Sequence, residues 1–343
     1  MQMKLLEVLA CPKCQGELSC KTEKTSDDGE VLEGSLSCAG CSAVYPIELG
    51  IPRFVPKDNY ASSFGYQWNL FKSEQIDSIN GTSLSEERLY SETGWTRESL
   101  KGKWILDAGC GAGRFLDVIS KADCEAVGLD ISSAIEAAQK TLKGRKNVHF
   151  VQASIFELPF RTGAFDGCYC IGVLQHTPDP HRAMQALPRV LKQDGEIAVT
   201  IYERKPWTLL YSKYLIRPLT KRLNDRVLLG LIKAVMPVVF PITEVTFRIP
   251  KLGKFFKFAI PVANYVDERS LSWRQRYHWA ILDTFDMLAP QYDQPQTLQE
   301  AEHALSGSGI QELRRLGNPG LNLVGRKREE EINRDGQDRQ DKR

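Results

Sequence analysis

The fold of this chain is decided by one stretch, Ile105-Leu106-Asp107-Ala108-Gly109-Cys110-Gly111-Ala112-Gly113. A short apolar strand ends there in Asp107 and a glycine-rich loop, and a helical pattern begins at Arg114. Glycine tolerates positive φ angles and lets a ligand come close to the backbone, and the first turn of a helix offers unpaired N–H groups. The stretch therefore predicts a nucleotide-type cofactor site at the carboxyl end of a strand.

Strands and helices alternate on the carboxyl side of this stretch. Apolar runs predict five strands, at 104–108, 125–130, 148–152, 165–171 and 196–202, with helical patterns between them. This alternation implies βαβ units and a mostly parallel sheet. Two later strands, at 311–316 and 321–325, flank a Gly-Asn-Pro-Gly turn and are expected to pair as a hairpin. We therefore predict an α/β fold with a Rossmann-like, seven-stranded mixed sheet and a helical insertion after the fifth strand.

Acidic residues around the glycine loop distinguish two classes of cofactor. A dinucleotide site requires G-x-G-x-x-G, whereas this loop has G-x-G-x-G with Arg114 at the position of the third glycine. Asp107 would repel a pyrophosphate and attract the ammonium and sulfonium groups of S-adenosylmethionine. Asp130, at the end of the next strand, can bind the two hydroxyls of a ribose. These residues favour S-adenosylmethionine over a nicotinamide cofactor or a domain that has lost its ligand.

Residues 104–202 resemble the class I S-adenosylmethionine-dependent methyltransferases, in particular the type 11-like domain. The resemblance covers the glycine loop, the run Leu129-Asp130-Ile131, residues 151–160 and residues 165–179. It implies that the cofactor is bound by Asp107, Gly109, Gly111, Gly113, Asp130, Ile131, Ser154, Ile155, Cys170 and Ile171.

The resemblance also implies a role for each part of this site. Asp130 would bind the ribose, and Ile131 would lie against the adenine. Ser154 and Ile155 would meet the adenine edge, while the backbone of 170–171 would lie near the methionine part. Ser154 stands where the family usually has an acidic residue, so its hydroxyl would have to accept from the adenine amino group instead.

Four of the nine cysteines form two C-x-x-C pairs, Cys11 with Cys14 and Cys38 with Cys41. Four thiolates at this spacing suit tetrahedral Zn²⁺, and a redox dithiol or an iron site is the alternative. A module of this size lacks a sufficient core of its own, so a structural zinc ion would stabilise it. Residues 1–56, which include the run Gly50-Ile51-Pro52-Arg53-Phe54, also resemble the zinc-ribbon activator subunits of RNA and protein methyltransferases.

These patterns divide the chain into six segments. They are a zinc ribbon at 1–56, a helical connector at 57–100, the first part of the methyltransferase core at 101–202, a basic aromatic insertion at 203–277, the last part of the core at 278–327 and a disordered charged tail at 328–343.

The insertion is basic although the whole chain has a net charge of only +2. Between Glu203 and Arg276 there are 15 Lys/Arg against 5 Asp/Glu. This surplus predicts an anionic partner. Because the insertion directly follows the fifth strand, we expect it to act as a lid over the acceptor. The plainer alternative is an amphipathic helical pair whose aromatic residues are simply core.

Three residues are candidates for the acceptor side of the site, His176, Tyr202 and Asp283. Methyl transfer needs the nucleophile held in line, and a weakly acidic acceptor also needs a base. His176 follows the fourth strand and is the residue type that most often acts as a base near neutral pH, although a purely structural histidine is the alternative. Tyr202 ends the fifth strand. Asp283 and Asp286 stand three apart on one predicted helix face.

Three functions remain open. The first is methylation of a small or carrier-linked molecule, such as a sugar or lipid intermediate. The second is methylation of rRNA or tRNA, which the zinc ribbon and the basic insertion would bind. Against it, residues 1–58 hold 6 Lys/Arg and 9 Asp/Glu, and no N-P-P-Y-like signature follows the fourth strand. The third is a non-catalytic scaffold that binds the cofactor and a partner.

Composition limits the expected cellular location of the protein and the kinds of partner that it can bind. The odd number of cysteines does not suggest a disulfide framework. No uninterrupted apolar run reaches the ~18 residues that span a bilayer, and the first ten residues lack a signal-peptide pattern. We expect a cytoplasmic protein without a transmembrane segment. A small or carrier-linked anionic substrate is the favoured partner, while nucleic acid and peripheral membrane contact stay open.

Overall fold

The computed structural model of the protein describes residues 1–56, 59–317 and 320–328. The predicted disordered tail therefore lies outside the described residues from 329 onwards. The strands within these ranges are β1 Leu18–Thr25, β2 Val31–Cys38, β3 Val44–Glu48, β4 Ile51–Pro52, β5 Trp104–Ala108, β6 Glu125–Asp130, β7 Val148–Gln152, β8 Phe165–Ile171, β9 Leu191–Ile201, β10 Ile310–Arg315 and β11 Leu321–Lys327.

Helices lie before, between and after the strands of the large sheet. They are α1 Ser62–Leu70, α2 Asp77–Asn80, α3 Leu84–Thr93, α4 Arg114–Ile119, α5 Ala134–Thr141, α6 Pro180–Ala186, α7 Ser212–Thr220, α8 Asp225–Thr246, α9 Leu252–Ala259, α10 Trp273–Leu288 and α11 Leu298–Ser306.

The large sheet has seven strands in the order β10-β11-β9-β8-β5-β6-β7. The five strands from β9 to β7 pair in parallel, whereas β11 is antiparallel to both β9 and β10. This arrangement confirms the predicted Rossmann-like mixed sheet. The chain leaves β5 toward β6 on one side and reaches β8 on the other, so the loop after β5 lies at the point where the strand order reverses. Open α/β sheets bind ligands at such a point.

Pro188 shifts the bounds of one helix and of the strand that follows it. The helical pattern between the fourth and fifth predicted strands extends to Leu191, but helix α6 ends at Ala186, and a 3-10 turn, Leu187–Val190, follows it. Pro188 in that turn explains the early end, because proline has no N–H and disfavours helical backbone in the residue before it. Strand β9 then begins at Leu191, five residues before the predicted start.

A second, antiparallel sheet of order β1-β2-β3-β4 forms the amino-terminal module. This module, here called the ribbon, does not have a separate core. Its buried residues Leu5, Leu9 and Leu36 belong to the same apolar cluster as Leu158 and Phe160 of the large domain. Burial of this shared surface stabilises both parts together.

Backbone pairing also joins the ribbon to the large domain. The Ala10 N–H donates to the Pro159 carbonyl over 3.0 Å, and the Phe54 N–H donates to the Gln152 carbonyl over 2.8 Å. Arg53 forms a parallel bridge with Gln152, the last residue of β7. The chain after β4 therefore covers part of the β7 edge, where unpaired backbone groups would otherwise be exposed.

The buried Arg53 side chain also joins the ribbon to the large domain. Its guanidinium is buried and donates to Gln152 Oε1 over 2.6 Å and to Glu136 Oε1 over 2.9 Å. Its Nε lies 3.2 Å from Glu48 Oε2 in the ribbon. Gln152 in turn donates through Nε2 to the Ile131 carbonyl over 3.1 Å. One arginine therefore links the ribbon, helix α5 and the end of β6.

The insertion consists of helices α7, α8 and α9. Helices α7 and α8 pack against α10, and the core between them includes Leu228, Ile232, Phe240 and Phe285. Helix α10 begins at Trp273, so the boundary predicted at 277 falls inside it. By length and composition alone, α8 is apolar enough to cross a membrane. The sequence prediction did not identify α8 as a possible membrane span, because Lys233 and two prolines interrupt its apolar residues.

We expect Arg53→Met to lower the free energy of unfolding by about 1–3 kcal/mol, because it leaves the partners of a buried charge unsatisfied. Lys24→Met is the matched control, since Lys24 pairs with Glu33 on the exposed face of the same ribbon. Its effect should stay within about 0.5 kcal/mol. Urea denaturation of both variants measures the difference, and equal effects would contradict a fastening role for Arg53.

Candidate active site and metal centre

The loop after β5 adopts backbone conformations that favour glycine. Gly109, Gly111 and Gly113 have φ angles of 100°, 52° and 88°. A Cβ atom on Gly109 would lie 2.5 Å from the Val173 side chain, and one on Gly111 would lie 3.3 Å from the Trp68 ring. Gly113 instead faces α5. The first two glycines therefore shape the crevice, and the third lets the loop pack on a helix.

Asp130 lies at the end of β6 with its carboxylate largely occupied. Its Oδ2 accepts from the Gly111 N–H over 2.9 Å, and its Oδ1 accepts from the N–H and hydroxyl of Ser132 over 2.8 and 2.7 Å. A carboxylate offers about four acceptor positions, so one remains free. Burial raises the pKa of Asp130 above its ordinary value, while these hydrogen bonds oppose the shift.

Asp107 lies beneath the glycine loop. Its side chain is buried, and its Oδ2 has no hydrogen-bond partner within the described part of the chain. Burial, opposed by the nearby Tyr169 hydroxyl, raises the pKa of Asp107 to about 8. Asp107 was expected to attract the ammonium and sulfonium groups of the cofactor. It is buried and does not line the cavity, so its charge would act on a bound cation from behind the glycine loop.

A cavity of about 370 Å³ opens above the glycine loop, a volume typical of small-molecule sites. Nine of the predicted site residues line it, namely Gly109, Gly111, Asp130, Ile131, Ile155, Ile171, His176, Tyr202 and Asp283.

Four of the predicted cofactor residues lie outside this lining. Besides Asp107 and Gly113, they are Ser154 and Cys170. The Ser154 hydroxyl accepts from the Phe156 N–H over 3.2 Å and caps a 3-10 turn, and Ala153 lines the cavity in its place. The Cys170 side chain is fully buried within β8. Strand ends were located well from sequence, but the direction of each side chain depends on local turns.

The connector supplies cavity residues that sequence reasoning missed. Tyr60, Phe64 and Trp68 all line the cavity, and Arg88 of α3 lies in the same wall. The three aromatic residues are spaced four apart, a spacing typical of one helix face, and this was the available signal, although Tyr60 itself lies two residues before α1. Among the described residues of the predicted lid, 203–277, the lining includes only Ala263 and Tyr265. The connector therefore covers the cavity where the insertion helices were expected to.

His176 lines this cavity, and one of its two ring nitrogens has a hydrogen-bond partner. Its Nδ1 lies 3.0 Å from the Tyr292 carbonyl oxygen, so Nδ1 carries the proton and donates. Its ring lies between Phe64 and Tyr202, with centroid distances of 5.1 and 5.7 Å. Its Nε2 has no partner within the described ranges. In this tautomer Nε2 holds a lone pair and can accept a proton.

Two carboxyl groups of α10 face the same cavity. Burial and the neighbouring Asp286 raise the pKa of Asp283 to about 7, against the opposing effect of Arg114. The Tyr265 hydroxyl and the Gln75 amide donate to Asp283. Burial likewise raises the pKa of Asp286. This wall can therefore hold protons near neutral pH, and the two predicted aspartates do lie together.

The four cysteines of the ribbon converge. The sulfur atoms of Cys11, Cys14, Cys38 and Cys41 all lie within 4.8 Å of one another. A Cβ atom on the neighbouring Gly16 would lie 3.1–3.2 Å from two of these sulfurs, so the turn is shaped around the cluster. Four thiolates at about 2.3 Å from a central ion fit such a cluster and saturate tetrahedral Zn²⁺. These residues would hold a structural zinc ion.

Comparison with known proteins agrees with both sites. Residues 106–199 match the family described as "Methyltransferase domain", and residues 2–50 match the family described as "Trm112p-like protein". The chain carries a methyltransferase domain behind a Trm112p-like domain. The first match covers the glycine loop and the five parallel strands, from within β5 to within β9. The Trm112p-like domain is the ribbon with the four cysteines.

Individual relatives match the methyltransferase part. O-methyltransferase rstn1 of Aspergillus nomiae is 35% identical over 131 residues, which are 37% of this chain and 57% of the relative. Ubiquinone biosynthesis O-methyltransferase of Alkalilimnicola ehrlichii is 31% identical over 133 residues, 37% of this chain and 54% of the relative. The chain thus spans about half the length of the curated relatives it matches.

A solved complex that includes the Haloferax volcanii Trm112 methyltransferase activator is similar over 78% of this chain and 98% of the matched chain. Its identity is 12% and its TM-score 0.42.

We expect the purified protein to contain about one zinc ion per chain, and Cys14→Ser to lose it. Because metal binding contributes folding energy and the ribbon shares its core with the large domain, the variant should melt roughly 5–10 °C lower. Cys20→Ser is the control, since Cys20 lies on β1 outside the cluster. Elemental analysis and thermal unfolding provide the readouts. Iron in place of zinc, or unchanged metal content in Cys14→Ser, would refute this assignment.

The raised pKa of Asp283 predicts a pH-dependent stability. Between about pH 4 and pH 7 the folded chain keeps a proton that the unfolded chain releases, so this contribution to stability is lost as pH rises. Asp283→Asn stays neutral, so its stability relative to the parent should rise by about 1–3 kcal/mol from pH 5 to pH 8. The exposed Asp123→Asn should show no such trend. Denaturant titrations of the ligand-free proteins test this, and parallel curves for all three would reject it.

Proposed function

We propose that this protein transfers the methyl group of S-adenosylmethionine to a hydroxyl oxygen of a small or carrier-linked molecule, with His176 as the base. One observation carries the proposal. His176, whose Nε2 has no hydrogen-bond partner among the described residues, and the glycine loop with Asp130 line the same cavity. A donor side and an acceptor side within one cavity are what an in-line transfer requires.

The donor side fits S-adenosylmethionine by its shape and its free acceptor. Gly109 and Gly111 leave room for a ligand against the backbone. The remaining acceptor position of Asp130 is available to a ribose hydroxyl, and binding both hydroxyls would require the Ser132 or Gly111 bond to be shared. Ile131 and Ile155 form an apolar wall for the adenine. When bound, the cofactor supplies a methyl group activated by its sulfonium charge.

The acceptor side supplies a base and a way to stabilise its charged form. Bound S-adenosylmethionine would supply the methyl carbon to the acceptor oxygen, and its sulfur would keep the electron pair of the carbon–sulfur bond. His176 Nε2 takes the hydroxyl proton. The resulting imidazolium is stabilised by the Tyr292 carbonyl on Nδ1 and by the nearby carboxyl of Asp286. Tyr202 packs against the imidazole and fixes its orientation.

The walls indicate what kind of acceptor enters. Tyr60, Phe64 and Trp68 offer aromatic surface, and Arg88 and Arg114 offer positive charge. A small apolar molecule with an acidic hydroxyl or a neighbouring anionic group matches these walls. The curated relatives described above are O-methyltransferases by name, one of them in ubiquinone biosynthesis, which supports oxygen as the acceptor atom.

Label transfer tests the proposal with two matched variants. The protein is incubated with methyl-labelled S-adenosylmethionine and with RNA, protein, lipid and small-molecule fractions of a host extract. We expect label in small molecules or lipids. His176→Asn keeps a donor for the Tyr292 carbonyl but removes the base, so the rate should fall about 10²–10⁴-fold with cofactor binding retained. Asp130→Asn should weaken cofactor binding by about 10-fold or more.

His181→Asn makes the same change outside the cavity, on α6, and should leave both readouts unchanged. Label confined to the RNA fraction would replace the proposed acceptor by a nucleic acid. Full activity in His176→Asn would remove the base from the mechanism.

A further inference from the structure

The outward face of α8 carries a stripe of exposed apolar side chains, here called the α8 stripe. Its exposed fractions run from 49% to 67%. The spacing of three or four residues places its members on one side of the helix, and no charged residue interrupts them. Single exposed apolar residues are ordinary, but a continuous stripe marks an interaction surface. The members are Val227, Leu231, Val235, Val238, Ile242 and Val245.

The neighbouring helices extend this apolar surface. Leu215 and Leu219 of α7, and Leu252 and Phe255 of α9, have exposed fractions between 55% and 71%. Helix α9 packs against α8. The exposed surface of the insertion is therefore apolar on three consecutive helices, away from the core that α7 and α8 form with α10.

The charges around the stripe are almost all positive. Between residues 207 and 261 the acidic residues are Asp225 and Glu244. Glu244 is already paired with Arg248 and Arg276. In contrast, five exposed cations come before or after the stripe in the sequence, and none of the five has a carboxylate within 4.0 Å among the described residues. They are Lys221, Arg222, Arg226, Lys251 and Lys254.

We propose that the α8 stripe docks on an anionic lipid surface, with the helix lying in the plane of the interface. An apolar stripe flanked by lysine and arginine is the pattern of an interfacial helix. Each cation near an anionic headgroup layer contributes favourably to binding. The three helices expose almost no acidic side chains. Their surface therefore complements an anionic lipid surface in charge as well as in polarity.

The helix docks in the plane and does not span the membrane. Its 22 residues are long enough to span. However, its inner side, including Leu228, Ile232, Met236 and Phe240, is buried in the core that contains Phe285 of α10. A spanning orientation would expose that core, whereas an interfacial one uses only the side that is already exposed.

The inner side of the docked helix α8 is connected to the cavity. Asn264 donates through Nδ2 to the Thr243 hydroxyl of α8 over 2.9 Å, and its neighbours Ala263 and Tyr265 line the cavity. The Ala263 N–H donates to the Thr284 hydroxyl of α10 over 3.0 Å. A lipid-soluble acceptor would thus meet the cavity next to the docked face. This consequence rests on the proposed function, whereas the docking itself does not.

Vesicle sedimentation of the full chain tests the docking without any methyltransferase assay. We expect the protein to sediment with phosphatidylcholine vesicles that contain about 30% phosphatidylglycerol, and about tenfold less with phosphatidylcholine alone. Leu231→Gln/Val235→Gln/Val238→Gln should reduce partitioning at least about tenfold. Lys251→Glu/Lys254→Glu should reduce binding to the anionic vesicles alone. A carbonate wash should release the bound protein, as expected for an interfacial helix.

Matched variants keep the test specific. Val44→Gln/Leu70→Gln/Ile79→Gln removes exposed apolar surface elsewhere, and Lys143→Glu/Lys146→Glu reverses two exposed charges elsewhere. Circular dichroism and melting temperature show that every variant is folded. The proposal is overturned if the parent protein stays in the supernatant or if both triple variants lose binding equally. It is also overturned if the parent is a dimer that the α8-stripe variant dissociates, because a second copy would then cover the stripe.

Discussion

A Cβ atom at Gly109 would lie 2.5 Å from Val173, and one at Gly111 would lie 3.3 Å from Trp68. The loop after β5 is therefore held between the segment after β8 and the connector helix α1, with no space for a side chain. Because the Gly111 N–H also donates to Asp130, the same contact fixes the end of β6. The carboxyl ends of β5, β6 and β8 and one wall of the cavity thus depend on a close backbone approach that glycine permits.

Features set by periodicity were predictable from sequence, and features set by distant packing were not. The apolar runs at 104–108, 125–130, 148–152 and 165–171 became strands with those bounds, because a buried parallel strand is a short continuous apolar segment. The cysteine spacing located the metal cluster for a similar reason, since its ligands come in local pairs. His176 and Tyr202 were found because strand ends meet at one edge of a sheet.

The connector and the insertion have packing features that the sequence patterns did not predict. The four-residue spacing of Tyr60, Phe64 and Trp68 predicts a shared face but not that the face covers the cavity, which depends on how α1 packs on α5 and α10. In the insertion, Pro237 and Pro241 both lie within α8, although proline disfavours the interior of a helix. Its neighbours in the core hold the helix together although each proline removes one backbone hydrogen bond.

The contacts of Arg53 join two ligand sites that lie in different domains. The guanidinium connects the ribbon to Gln152, and Gln152 holds the carbonyl of Ile131, a residue of the cavity wall. Thermodynamic reciprocity applies to any two sites joined in this way. If zinc in the ribbon changes the affinity of the cavity for its ligand by some factor, the ligand changes the affinity of the ribbon for zinc by the same factor. If that factor exceeds one, the ligand of the cavity would help the ribbon to retain its metal when zinc is scarce.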